Sequence, residues 1–258
     1  MWIPENKYGF LISMRKDKRR QYILSDFKLL AQGIKASKSM GELSIPEKLK
    51  KAYNEYDKKY LITGGSAAFI YHTYQFPLKE EIEIFPKDYG FWSFFNDIEI
   101  YPILKEREFR EKVVIDGLFV ARPEKIILEG LRQGSITSIL DSVSILVSEK
   151  GLEFLEWEKL KKYAREYGVI KELGAILEII DNELKHEYGR SFIPQNFINA
   201  LFADIKEKGR LRQYPKNILV EDKTYSAIGD RWRLKLYLPA YVVKKPVEDI
   251  APLTLKVI

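Results

Sequence analysis

Residues 60–83 of the chain, YLITGGSAAFIYHTYQFPLKEEIE, decide the fold. Residues 60–63 form a short, mostly apolar run, as in a buried strand, and they lead into Gly64-Gly65-Ser66. Residues 67–72 have a helical composition, so a helix is predicted directly after the glycines. Residues 81–85 alternate acidic and apolar side chains with a period of two, which predicts a half-buried strand. A strand, a glycine turn, a helix and then further strands predict a small mixed sheet.

The glycine turn has the properties of a phosphate-binding site. Because glycine has no side chain, a phosphate can approach the main-chain N–H groups closely. The start of the following helix favours negative charge, and the Ser66 hydroxyl can add one more donor. Gly64, Gly65 and Ser66 are therefore candidate nucleotide-binding residues.

Glu81 and Glu83 fall on the same face of the predicted acidic strand because they are two residues apart. Two carboxylates so placed can hold Mg²⁺, which would neutralise a triphosphate and activate an attacking hydroxyl group. A third carboxylate would come from Asp97 or Glu99 in the next predicted strand, residues 97–101. The alternative interpretation is an amphipathic strand whose glutamates are simply solvated.

This order of features resembles the nucleotidyltransferase superfamily, whose motif is a Gly-Gly or Gly-Ser turn followed by an Asp-x-Asp or Asp-x-Glu strand. The resemblance implies an α+β fold with a small mixed sheet of nucleotidyltransferase type, a following helical region and a C-terminal strand segment. For an active enzyme it implies Glu81, Glu83 and Asp97 as catalytic residues, with Glu81 and Glu83 as metal ligands. The chain departs from the motif in having Glu81 at the first acidic position and a slightly long spacing from the glycines.

A second resemblance extends from residue 60 towards the C-terminus. It is carried by six short segments, which are residues 66–68, 122–125, 155–160, 173–178, 214–217 and 231–234. In this succession they resemble the C-terminal domain of AbiEi-type antitoxins, which are partners of a nucleotidyltransferase toxin and repress their own operon through an N-terminal winged helix. The resemblance implies a regulatory or antitoxin role without catalysis.

The first 58 residues differ from a winged helix, which needs three helices and a β wing. Their sequence predicts two short strands around a basic turn, then a helix from residue 25 to about 37 and a second from Ser44, its N-cap, to about 58. Basic side chains are densest in that turn, and such runs are candidates for contact with nucleic-acid phosphates. The run contains Arg15, Lys16, Lys18, Arg19 and Arg20.

After the acidic strands, a hairpin is predicted around Asp116-Gly117. From residue 122 onward, apolar side chains recur with the period of an α-helix. Four helices are predicted there, at residues 124–132, 135–148, 157–167 and 170–185, and after them a helix near 194–208 and a strand at 231–238. We divide the chain into an N-terminal basic hairpin with helices (1–58), a nucleotidyltransferase-like α/β core (59–122) and a helical region with a C-terminal extension (123–258).

Three further side chains are possible neighbours of the predicted site. His72, on the helix after the glycines, is expected to be a packed or capping histidine. Lys125 and Arg132 lie a helix face apart, and both are expected on the solvated surface; contact with a phosphate in the cleft is the alternative.

Composition excludes several kinds of site. The chain has no cysteine and two histidines, so disulfides, thiolate zinc sites, a cysteine nucleophile and a histidine-rich metal site are excluded. The formal charge of +6 is compatible with a polyanionic partner, and solvated lysines are the alternative.

The remaining features of the sequence concern location. The longest apolar stretches fall short of the roughly 20 residues of a membrane span, so no membrane partner is expected. The N-terminus lacks the plan of a signal peptide, and a cytoplasmic location is expected. Abundant Lys, Glu, Ile and Tyr without Cys favour a thermophilic source.

Two functions therefore stay open, and a scaffold role without either activity is a third possibility. One is an AbiEi-like antitoxin or regulatory protein that binds nucleic acid or a cognate toxin. The other is an active Mg²⁺-dependent nucleotidyltransferase that binds an NTP and transfers a nucleotide to an RNA or protein acceptor.

Overall fold

A computed structural model describes residues 27–72, 80–103, 106–205, 211–216 and 221–257. The basic run at 15–20 and the two strands predicted beside it lie outside the described residues.

Two helices precede the sheet, as the sequence predicts. Helix α1 spans Phe27–Met40 and α2 spans Ile45–Tyr56. Ser44 is the N-cap of α2, as predicted, and the Glu47 carboxylate accepts its backbone N–H at 2.9 Å.

Five strands form a mixed sheet in the order β3-β2-β1-β5-β4. Strand β1 is antiparallel to β2 and parallel to β5, while β2 and β3 are parallel. Strands β4 and β5 form the predicted hairpin, in which Asp116 and Gly117 both have positive φ. The strands are Tyr60–Ile62 (β1), Glu80–Ile84 (β2), Ile98–Pro102 (β3), Val113–Ile115 (β4) and Leu118–Val120 (β5).

Helix α3, Gly64–His72, follows β1 directly and packs on β2. Between β2 and β3 the chain forms a 3-10 turn at Pro86–Asp88 and the short helix α4, Tyr89–Trp92. The α4 side chains Phe91 and Trp92 are fully buried, so this connection is part of the core. Helix α5, Glu106–Arg110, leads from β3 to the hairpin.

The four predicted helices after the sheet are present, and a fifth short helix lies among them. Gly134 and Gly168, at two of the predicted breaks, have positive φ and end the preceding helices. The helices are Pro123–Gln133 (α6), Ile136–Val147 (α7), Glu149–Phe154 (α8, not predicted), Trp157–Tyr167 (α9) and Ile170–Tyr188 (α10).

The C-terminal segment differs from the prediction. Arg231 ends a helix and Arg233 has a φ of 60°, so the strand predicted at 231–238 is reduced to Leu234–Leu236, which pairs in parallel with Arg212–Tyr214. Two helices at the end of the chain were not predicted. The elements are Gln195–Ala203 (α11), Arg212–Tyr214 (β6), Ser226–Arg231 (α12), Leu234–Leu236 (β7), Tyr241–Asp249 (α13) and Ala251–Val257 (α14).

The architecture is α+β, as predicted. Helix α3 contacts α6 and α7 as well as β2, and buried apolar side chains form one core from the sheet into the helices. Among the described helices, none has both the length and the apolar character needed to cross a membrane. The domain boundaries stay a prediction.

Candidate functional site

Gly64 lies where β1 ends and α3 begins. Its φ is +56°, in the left-handed region that favours glycine. A Cβ atom there would lie 1.6 Å from Oε2 of Glu81. The backbone angle therefore favours glycine, and a side chain there would displace the Glu81 carboxylate, the group that approaches closely.

The Glu81 carboxylate occupies the start of α3. Its Oε2 atom accepts the N–H of Gly65 at 2.7 Å. In return, the backbone N–H of Glu81 donates to Oγ of Ser66 at 2.8 Å. Negative charge is favourable at a helix N-terminus because the first N–H groups lack helical partners. The structure thus brings together four predicted site residues: Gly64, Gly65, Ser66 and Glu81.

Burial raises the pKa of Glu81 above its ordinary value. The hydrogen bond from Gly65 acts in the opposite direction, and the charges of Glu99 and Asp141 raise the pKa further. The Glu81 carboxylate therefore lies among like charges, and the N–H of Gly65 offsets part of their repulsion.

Glu83, two residues further along β2, is buried. It forms an ion pair with Lys125 of α6, and Oγ1 of Thr63 donates to its Oε1 at 3.4 Å. Lys125 is thus buried against the sheet, so the expected position on the solvated surface is wrong for this residue. Arg132, its counterpart along α6, is exposed.

The two candidates for a third carboxylate are in different environments. Asp97, just before β3, receives a hydrogen bond from Nζ of Lys48 at 2.5 Å. Glu99 is the register neighbour of Glu81 in the parallel pair of β2 and β3. Glu99 is therefore the acid that the sheet places beside Glu81, while the catalytic assignment of Glu81, Glu83 and Asp97 stays a prediction.

The donor set does not fit the Mg²⁺ that the nucleotidyltransferase resemblance implies. Glu83 binds a buried ammonium group, and Glu81 binds a peptide N–H at the helix start. Within the described ranges, no three His, Asp or Glu side chains are grouped so that they could hold a metal ion. Protein-bound Mg²⁺ is commonly held by one or two carboxylates together with waters or phosphates, and here both candidate carboxylates are directed at other partners.

His72 and Asp141 form a second polar contact next to this site. Nε2 of His72, whose side chain is fully buried, lies 3.6 Å from Oδ1 of Asp141 on α7. The packed histidine agrees with the expectation. Sequence reasoning missed Asp141, which lies 60 residues from Glu81 in an apolar helix, where no local spacing connects the two.

A shallow pocket lies beside α6, next to Lys125. Arg107 binds Glu166 at 3.0 Å and lies over the Tyr163 ring at 4.6 Å. Each of the three cations in the lining has a carboxylate partner, so the charge of the pocket is largely compensated. The lining residues are Arg107, Glu111, Arg122, Lys125, Tyr163 and Tyr167.

Two of the segments that resemble AbiEi-type antitoxins meet at α6. Arg122 binds Glu124 through Nε at 3.0 Å and Glu156 through Nη2 at 2.8 Å. The backbone N–H of Glu156 in turn donates to Glu124 at 2.7 Å. These residues therefore join the start of α6 to the start of α9.

Two other segments of that resemblance meet at α10. Nε1 of Trp232 donates to Glu178 at 2.6 Å. A Cβ at Gly174 would lie 1.9 Å from the Trp232 ring, so the indole packs directly on the helix backbone. The segments at 173–178 and 231–234 are thus packing partners.

Comparisons with known proteins give no relative. No family model matches the chain, and no curated protein and no solved structure matches it either. The contacts of β2, α3 and α6 are therefore the basis on which its function is inferred.

Proposed function

We propose that this chain is a nucleotidyltransferase-fold protein of AbiEi-like antitoxin or regulatory type, which acts by binding a protein or nucleic-acid partner. The observation that carries the proposal is the Glu81 carboxylate at the start of α3. The superfamily resemblance assigns a nucleotide phosphate to the same N–H groups. One N–H cannot serve both anions fully, so the chain's own carboxylate competes with a nucleotide.

The arrangement of strands supports the fold part of the proposal. Strand β1, the glycine turn, α3 and the acidic strand β2 follow one another, and β2 lies between β1 and β3. The glycine turn and the acidic strand are thus neighbours in space, as a nucleotidyltransferase-type core requires.

Electrostatics support the non-catalytic part. Besides burial, the charges of Glu99, Asp141 and Glu80 raise the pKa of Glu81, and Glu99 is its register neighbour on β3, so a second anion here would meet like charges. A triphosphate at α3 would meet these charges, and Lys125 is already paired with Glu83. Binding a partner elsewhere on the protein requires no change at this site.

A transfer assay tests the proposal. The purified protein is mixed with labelled nucleoside triphosphates, Mg²⁺ or Mn²⁺, and RNA or protein acceptors, beside the variant Glu81→Ala. We expect no incorporation by the wild type and no heat of nucleotide binding by calorimetry. Incorporation by the wild type that disappears in Glu81→Ala would overturn the proposal.

One observation favours the second candidate, a Mg²⁺-dependent nucleotidyltransferase. Glu81 and Glu99 are paired in register on adjacent parallel strands, and Glu83 follows on the same strand as Glu81. Three carboxylates thus lie on neighbouring positions of one sheet. The same assay distinguishes the two candidates, because only this one predicts incorporation.

A further inference from the structure

Lys125 reaches from α6 to the acidic strand and binds Glu83. The two side chains are 8% and 11% exposed, respectively. Charged side chains that are this deeply buried are stable only with a partner of opposite charge. Lys125 is therefore the counter-ion of Glu83, although the two residues belong to different predicted regions of the chain.

A second carboxylate contacts the Lys125 ammonium group. Oε1 of Glu129, one turn further along α6, lies 3.4 Å from Nζ of Lys125. Glu81 is on the same strand as Glu83, and Glu99 is beside Glu81 on β3. The Lys125 ammonium group thus has two carboxylate partners, Glu83 and Glu129, at a sheet that carries two further glutamates.

We propose that the ammonium group of Lys125 takes the place of a divalent cation at β2. The chain thereby neutralises its own acidic strand, and the strand needs no metal ion. The inference deepens the proposed function and rests on it, because both exclude metal-dependent transfer at β2. Its converse is that Glu83, once its ammonium partner is removed, attracts a hard cation such as Mn²⁺, which prefers carboxylate oxygens.

Four proteins test the inference without any nucleotide. They are the wild type, Lys125→Gln, Lys125→Arg and the double variant Lys125→Gln with Glu83→Gln. Electron paramagnetic resonance measures the free Mn²⁺ that remains after each protein is added. Lys125→Arg is the matched control, because it keeps a positive charge opposite Glu83.

We expect the dissociation constant of Lys125→Gln for Mn²⁺ to be lower than that of the wild type by a factor of about ten or more. Lys125→Arg and the double variant should behave like the wild type, because one keeps the cation and the other lacks the Glu83 charge. Equal affinity of Lys125→Gln and the wild type overturns the inference.

A second measurement uses the wild type and does not depend on how well a Lys125 variant folds. Mn²⁺ should leave the melting temperature of the wild type unchanged, and likewise that of Glu83→Gln. A rise with Mn²⁺ in the wild type that is lost in Glu83→Gln also overturns the inference. The proposed function fails separately, through nucleotide incorporation in the transfer assay.

Discussion

At the scale of single residues, substitution of Gly64 is limited by its backbone angle and by its contact with Glu81, and the two effects can be measured separately. Its positive φ disfavours any side chain, and a Cβ would overlap Glu81. Gly168 at the end of α9 has a similar φ, +69°, but no atom within 4 Å of the position of its Cβ. It therefore carries the backbone constraint alone.

We predict that Gly64→Ala destabilises the protein more than Gly168→Ala. The left-handed angle costs an alanine about 1–2 kcal/mol at either site. At residue 64 the displacement of the Glu81 carboxylate adds about 1 kcal/mol or more, as expected for a lost buried hydrogen bond. Urea unfolding of the two variants measures the difference. Equal costs would mean that the contact between Glu81 and the glycine turn contributes nothing to stability.

At the scale of secondary-structure elements, the start of α3 makes folding sensitive to pH. The pKa of Glu81 is raised in the folded protein, so the folded state binds this proton more tightly than the unfolded state. The contribution of Glu81 to stability therefore decreases as the pH rises from about 4.5, its ordinary value, through the raised pKa. The start of α2 behaves in the opposite way, because hydrogen bonds from Ser44 lower the pKa of Glu47.

We predict that the stability of the wild type relative to Glu81→Gln and its stability relative to Glu47→Gln change with pH in opposite directions. Unfolding measured between about pH 3 and pH 7 gives both differences. The stability of the wild type relative to Glu81→Gln should fall with rising pH above about 4.5. The stability of the wild type relative to Glu47→Gln should instead rise with pH, from the lowered pKa of Glu47 up to about 4.5. Parallel curves for the wild type and Glu81→Gln would contradict the environment assigned to Glu81.

Much of the element order could be predicted because the signals are local. The Asp116-Gly117 pair predicts a hairpin by its own backbone preference, and glycines at the helix breaks are local signals too. The strand at 231–238 was overpredicted for the same reason. Its alternation has a period of two, but the left-handed Arg233 interrupts the strand and Arg231 belongs to α12.

The candidate site could be predicted only in part. Glycines and acids that are close in the sequence identified the turn and the strand. The partners that decide what Glu81 and Glu83 do are not close in the sequence. Lys125 and Asp141 come from α6 and α7, and tertiary packing rather than spacing brings them to the sheet.

At the scale of the whole molecule, the predicted nucleic-acid contact is the basic run at residues 15–20, within a chain of formal charge +6. We predict that duplex DNA binds weakly and that the affinity falls with added salt, because Lys and Arg displace counterions from phosphates. Reversing two charges, Arg19→Glu with Arg20→Glu, should reduce the affinity and lower the salt slope by about two. Fluorescence anisotropy at several salt concentrations measures both.

The matched control reverses two charges elsewhere on the protein. Lys244→Glu with Lys245→Glu changes the net charge equally at two exposed positions of α13. If the control weakens binding as much as the variant at Arg19 and Arg20, only overall charge matters. No affinity at low salt would remove nucleic acid from the proposed partners.

The buried pair of Glu83 and Lys125 has a consequence for how such a chain can evolve. Its two charges lie on either side of residue 122, the predicted end of the nucleotidyltransferase-like core. A recombination there that brought in a foreign helix without a lysine would leave a carboxylate buried without its counter-ion, which is strongly destabilising. The sheet and the helices behind it are therefore expected to be inherited together, and descendants that lose one charge are expected to lose the other.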